Sequence, residues 1–177
     1  MHDKVQVHYD SLLKETLEAM TSMGLLLVTQ GKSGKPNAMA IGWGLIGSVW
    51  SRPVFTVLVR PSRYTYQLLE ESGDFTVNVL PPKMKSAVDL CGTVSGRTRD
   101  KFAEAKLTAA PGLHGKAPII AESLIAYECR TIMTNDVPPE RLDRGIRASA
   151  YASGDFHRLY FGNILCVLAD RKVAHAH

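Results

Sequence analysis

A series of short apolar, β-branched runs, cut apart by glycine and proline, limits this chain more than any other feature. Leu25–Thr29 lies between Gly24 and the turn Gly31-Lys32-Ser33-Gly34-Lys35-Pro36. Residues 37–42 then return as the second arm of a hairpin. Pro53 opens a run over Val54–Val59, where a proline in first position forfeits no ladder bond. Phe75–Leu80 alternates and is rich in β-formers, and Pro81-Pro82 stops it. Leu124–Thr131 and Leu159–Leu168 are longer, and the second is the most apolar run of the chain. Helical spacing is confined to short stretches. Residues 10–23 carry Leu12, Leu13, Leu17 and Met20 at helical intervals. Further short helices are predicted from Arg60-Pro61-Ser62 to Gly73, over 83–91 and over Asp100–Ala105. Strands and helices do not alternate one for one. That argues against a doubly wound parallel sheet and predicts a mainly β barrel with short α-helices. Residues 135–155 are rich in charge, proline and glycine, with helical character from Glu140 onward. They read as a loop or lid within a single domain spanning 1–177.

Composition narrows the function classes. The chain has 177 residues, 45% hydrophobic and 21% charged, which is ordinary globular usage and excludes long disorder. A net charge of +4 with dispersed basic residues suits an anionic small molecule, and no nucleic-acid partner is expected. Cys91, Cys129 and Cys166 lie far apart without CxxC or other metal spacing. No disulfide framework and no metal site are expected, and free thiols point to a reducing compartment. Met1-His2-Asp3-Lys4 lacks the apolar run of a signal peptide. No stretch approaches the roughly 18 apolar residues of a membrane span. A cytoplasmic protein without a membrane partner is the expectation.

Four segments carry candidate chemistry. Arg60-Pro61-Ser62-Arg63-Tyr64-Thr65 stands at a strand-to-helix junction, where free backbone N–H groups make an anion site. Two hydroxyls and two guanidiniums within six residues turn a plain helix cap into a phosphate site. Pro36 to Gly44 alternates small and large residues, so a flat heteroaromatic ring can lie along it with Trp43 flanking. The same residues also suit a core tryptophan between bend glycines. Cys91-Gly92-Thr93-Val94-Ser95-Gly96-Arg97-Thr98-Arg99-Asp100-Lys101-Phe102 is a glycine-rich bend able to form an anion nest, with Lys101 in reach of a phosphate. It is no Walker A loop. His157 precedes the last strong strand and suits either a pocket-facing donor or a surface residue. No HExxH or Ser-His-Asp order is present.

Together, over roughly residues 20–170, these segments resemble the flavin reductase-like, FMN-binding split-barrel family, within it the flavoredoxin-like branch. The likeness rests on Asn37-Ala38-Met39-Ala40 through Trp43, on Arg60 to Thr65, and on Phe75-Thr76-Val77-Asn78. Cys91 to Gly96 with Asp100-Lys101-Phe102, and His157 with Gly162, complete it. The resemblance implies a split β-barrel homodimer with FMN near the subunit interface. Asn37, Ala38, Met39, Ala40 and Trp43 would line the ring. Arg60, Ser62, Arg63, Tyr64 and Thr65 would hold the phosphate. Asn78 would support the ring or ribityl chain, and Cys91, Gly92, Ser95 and Lys101 would close over the phosphate end. His157 would be the catalytic residue, beside the flavin or nicotinamide. The sequence departs from the family pattern where Phe156 separates Asp155 from His157, and where Asn163 replaces the usual acidic residue. The implied activity is an oxidoreductase passing electrons from NAD(P)H through FMN to a flavin, a protein or another small-molecule acceptor. The alternative is a non-catalytic FMN-binding electron carrier of flavoredoxin type.

Overall fold

The computed structural model describes residues 4–175, so most of the Met1–Lys4 segment read for a leader lies outside it. The chain opens with β1 (Lys4–Val7), α1 (Leu13–Ser22), β2 (Leu25–Gln30) and β3 (Pro36–Ile41). β4 (Gly44–Val49), β5 (Arg52–Val59), α2 (Tyr64–Ser72) and β6 (Asp74–Val79) follow. Next come α3 (Lys85–Thr93), α4 (Lys101–Glu104) and the two-residue strands β7 (Ala109–Ala110) and β8 (Ile119–Ile120). β9 (Ile125–Asp136), α5 (Arg144–Ala150), β10 (Arg158–Asp170) and α6 (Arg171–Ala174) end it.

All but β7 and β8 join one antiparallel sheet of order β3-β2-β6-β9-β10-β5-β4, with β1 paired to β10. The edge strands β3 and β4 are consecutive in the chain, and only Gly42 and Trp43 separate them. A two-residue link between opposite edges forces the sheet to roll round on itself. Among the described residues no ladder joins the two edges, so the barrel stays open along that seam. This is the split barrel with short helices that the sequence predicts. β10 holds it together. Arg158–Asn163 pairs with β5, the far end pairs with β1, and β9 runs along the other side.

Alternation along the strands sorts the core into layers. Leu25 and Leu27 point inward with Phe55, Val57, Phe75, Val77 and Tyr127. Leu26, Val28 and Ala38 point outward, where residues of α3 and α4 cover them. β2 is buried on both faces, which is why its sequence is a continuous apolar run. α1 adds Leu12 and Met20 to the interior, and the Thr16 and Tyr127 hydroxyls meet at 2.8 Å. A Cβ at Gly162 would stand 2.3 Å from Cζ of Phe75, so β10 crosses the core there only because it has no side chain.

Two buried carboxylates fasten the loop between β7 and β8. Glu128 accepts from the backbone N–H groups of Leu113 (2.7 Å), His114 and Gly115 (both 2.8 Å). Asp74 accepts from the Lys116 N–H at 2.9 Å and from the Arg130 guanidinium. Among the described residues no helix is long and apolar enough to cross a membrane.

Two segments named in the sequence reading are built differently in the structure. Residues 44–49 form β4, not merely a bend, and Trp50-Ser51 turn it into β5 with both residues left-handed (φ 54° and 57°). That geometry matches the twist of a two-residue hairpin, but the pair lacks the Asn-Gly chemistry that announces one. Segment 135–155 is also more regular than a loop. β9 runs on to Asp136, and α5 is capped by the Asp143 carboxylate on the Gly145 and Ile146 N–H groups.

Candidate functional site

A cavity of about 500 Å³ opens at the barrel seam. Four elements build it. The end of β3 and the Gly42-Trp43 corner supply one wall, with Met39, Ala40 and Ile41. β5 contributes Leu58 and leads through Arg60 into the start of α2, at Ser62 to Thr65. α3 packs its Ala87, Val88 and Cys91 face over β2 and β3, and so carries Cys91, Gly92 and the following loop to the rim. His157 enters from the residues before β10.

The loop after α3 fits closely. A Cβ on Gly96 would stand 1.9 Å from Oδ1 of Asn37 and 3.1 Å from the Tyr64 ring, so only glycine lets this loop lie against β3. Asn37 is itself buried and lies behind the wall, where its Nδ2 donates to Oγ1 of Thr65 at 2.9 Å. Ala38 is fully buried, and its carbonyl accepts from Lys101 Nζ at 2.9 Å. The same ammonium donates to the Cys91 carbonyl at 2.8 Å, so Lys101 ties β3 to α3 under the cavity. Burial, and secondarily the Arg63 charge, lowers the Lys101 pKa. Burial pushes the Cys91 thiol up to about 11, which makes Cys91 a packing group and not a thiolate nucleophile.

Cations dominate the wall: Arg60, Arg63, Arg97 and Lys101 line it, and among the described residues no carboxylate does. Arg97 bridges the two sides by donating to the Ser62 carbonyl at 3.0 Å, with its guanidinium 5.4 Å from the Tyr64 ring centre. The first N–H groups of α2 add partial positive charge at the same end. The cavity therefore has a largely apolar end at Met39–Trp43 and a cationic end at Arg63, Arg97 and Lys101.

Residues 18–174 match the model of the flavin reductase like domain. The chain belongs to the flavin reductase-like family. An uncharacterized protein of Aeropyrum pernix is 31% identical over 132 residues, and the match covers 74% of this chain and 50% of that one. This chain thus spans half the length of that relative. The flavoredoxin of Desulfovibrio vulgaris (Miyazaki F) superposes with a TM-score of 0.68 at 28% identity, covering 84% of this chain and 70% of its own. A split-barrel flavin reductase-type protein of Shewanella frigidimarina NCIMB 400 gives a TM-score of 0.68 at 15% identity, over 93% and 81% of the two chains. That second likeness shows the fold alone.

Within this family member, several residues stand differently from the sequence expectation. Asn78 is not brought to the cavity. It is fully buried, donating to Thr76 Oγ1 at 2.8 Å and accepting from the Ile120 N–H at 2.9 Å, so it ties β6 to β8. Ser62 lines the cavity, but its donors are engaged. Its hydroxyl and backbone N–H both donate to the Asp155 carboxylate, at 2.6 and 3.2 Å. Arg60 likewise donates to the carbonyls of Ala150 (2.8 Å) and Asp155 (2.9 Å). Both residues hold the segment that leads to His157. Asp155 sits there in the left-handed region at φ 57°.

His157 is 8% exposed, and its ring centre lies 5.3 Å from that of Trp43. Its Nδ1 meets the Tyr151 hydroxyl at 2.7 Å. Burial first, then the Arg60 charge, pulls its pKa down to about 4, so the imidazole is neutral at neutral pH. Sequence reasoning missed Tyr151, Arg97 and Leu58 as parts of the site. Arg97 had a usable signal in its glycine-rich loop. Tyr151 had none, because its role depends on how α5 ends.

Proposed function

We propose that the cavity holds FMN and that the protein is an oxidoreductase passing electrons from NAD(P)H through it to a flavin or another acceptor. The observation that carries this reading is the cavity wall, apolar at one end and cationic at the other, with no carboxylate among the described residues that line it. An elongated ligand with a planar ring and a terminal dianion matches both ends. Met39, Ala40 and Trp43 lie along the ring. Arg63, Arg97, Lys101 and the Tyr64 and Thr65 N–H groups take the phosphate. Asn37 fixes the Thr65 hydroxyl from behind, while Gly92 and Ser95 leave room along the chain between the two ends. Bound FMN supplies the hydride and one-electron chemistry that these side chains lack. His157, neutral and held by Tyr151 at Nδ1, keeps Nε2 available to hold a proton at the reacting ring. A cytoplasmic setting goes with this reading, on the strength of three buried free thiols.

A homodimer is part of the proposal. Leu45, Thr56, Phe161 and Met133 are successive cross-strand neighbours on one outer row of the sheet. Leu45 is 65% exposed, and Trp50, 59% exposed, lies beside Phe161. Such an apolar row suits an isologous contact. Light scattering is expected to give twice the 19.4 kDa chain mass, and Leu45→Glu to halve it. A monomer before substitution contradicts the dimer.

The likeness to a flavoredoxin favours one second reading, an FMN electron carrier that takes electrons from a partner protein. One experiment separates the two. FMN-loaded protein is mixed anaerobically with excess NADH or NADPH, and the flavin absorbance is followed. The reductase reading predicts bleaching by one of them. Flavin that dithionite bleaches but neither nucleotide does overturns it and leaves the carrier.

A further inference from the structure

A second cavity, of about 380 Å³, opens beside α5. Helical spacing brings Arg144, Arg147 and Tyr151 to it from one side of α5 and its C-terminal end. Phe156 completes the floor, stacked on Tyr151 with ring centres 4.8 Å apart and planes 15° from parallel. The Arg60 guanidinium lies 5.0 Å from the same tyrosine ring.

The charge here is one-sided. Among the described residues no carboxylate lines this cavity. Of the nearby acids, Asp143 spends its carboxylate on the first N–H groups of α5, and Asp155 on Ser62. Neither Arg144 nor Arg147 has an ion-pair partner among the described residues. Two unpaired guanidiniums over a stacked aromatic floor select a phosphate-bearing ligand with a ring of its own.

The position of this cavity says which ligand. Tyr151 forms part of its wall, while the Tyr151 hydroxyl bonds to His157, which lines the main cavity. One hydrogen bond thus joins the linings of the two cavities. A molecule that presents a reactive ring at His157 and carries phosphates further along its length reaches both. We infer that the cavity beside α5 is the anion subsite for the diphosphate of a pyridine dinucleotide. This rests on the reading above that such a donor reduces the flavin. The subsite adds what that reading leaves open, namely what grips a donor on an antiparallel sheet, which has no doubly wound dinucleotide crevice.

The test uses the FMN-loaded protein and the double variant Arg144→Ser with Arg147→Ser. Both positions are exposed and bond to nothing in the barrel, so the fold is retained. Flavin reduction is measured with NADH, with NADPH and with 1-benzyl-1,4-dihydronicotinamide, which has the reactive ring and no phosphate. The KM for the dinucleotide is expected to rise about tenfold or more, the effect of losing one charge-assisted hydrogen bond. The rate with the benzyl compound and the FMN affinity are expected to stay within about twofold, because neither uses a phosphate contact at this site. An unchanged dinucleotide KM, or equal impairment with both donors, overturns the subsite. If neither donor reduces the unsubstituted protein, the reductase reading fails, and calorimetric titration with ADP then decides the subsite alone. Binding that the double variant abolishes upholds an anion subsite, and no binding to the unsubstituted protein overturns it.

Discussion

Glu128→Gln melts about 6–12 °C below the unsubstituted protein at neutral pH, a loss of about 3 kcal/mol for a domain of this size. The carboxylate is fully buried and accepts three backbone N–H groups from the loop between β7 and β8. A glutamine offers one oxygen to these donors and turns an NH2 group on the others. At least one buried N–H is then left without an acceptor, and the charge-assisted bonds are lost. The pH dependence follows from the direction of the shift. Burial raises the Glu128 pKa, but the loop N–H groups and the Cys166 thiol outweigh it, and the net movement is downward. A carboxyl whose folded pKa is depressed stabilises the fold above its unfolded pKa, near 4.3. That contribution disappears as the pH falls through the folded value. The gap in Tm between the two proteins is therefore full at neutral pH and closes in acid. Melting curves from pH 7 to pH 3 check this. Equal Tm values at neutral pH contradict it, as does a gap that widens in acid.

Arg63→Ala weakens FMN binding by about 10- to 150-fold, the range for one charge-assisted hydrogen bond of about 1.5–3 kcal/mol. Of the four cations on the wall, Arg63 is the clean probe. Arg60 holds the carbonyls of Ala150 and Asp155, and Lys101 joins those of Ala38 and Cys91. Removing either disturbs the barrel or the approach to His157 as well as the ligand. Arg97 bridges to Ser62. Arg63 is exposed and lines the cavity, and no carboxylate pairs with it among the described residues. Its truncation is expected to leave the Tm within about 1 °C while the FMN affinity falls. A variant that binds FMN within twofold of the unsubstituted protein removes Arg63 from the phosphate site. A variant that melts well below it gives the residue a structural role.

Much of this architecture was legible because burial writes itself into composition. β2 is covered on both faces, and its sequence opens on an unbroken apolar run, Leu25–Val28. β10 crosses the core and is the most apolar stretch of the chain. β4 was hidden for the opposite reason. It is a half-exposed edge with glycine at 44 and 47, turned by Trp50-Ser51, so neither periodicity nor turn chemistry marks it. At the site, type and spacing of residues identified the cationic end but not which donors are free. Ser62 and Arg60 have the right chemistry for phosphate, yet Asp155 and the backbone of 150–155 occupy them. That competition comes from a segment some 90 residues away in sequence, so no local pattern records it. Asn78 shows the same limit. Its strand was recognised, but the side chain faces β8 and not the cavity.

The proposed FMN site is one cavity per chain, with cations at its phosphate end. A fluorescence titration of FMN with the flavin-free protein tests it, repeated with riboflavin, which lacks the phosphate. Saturable quenching at one FMN per chain is expected, with riboflavin bound at least tenfold more weakly because it forfeits the charged contacts. FMN fluorescence that stays unquenched at micromolar protein, or riboflavin bound as tightly as FMN, contradicts it.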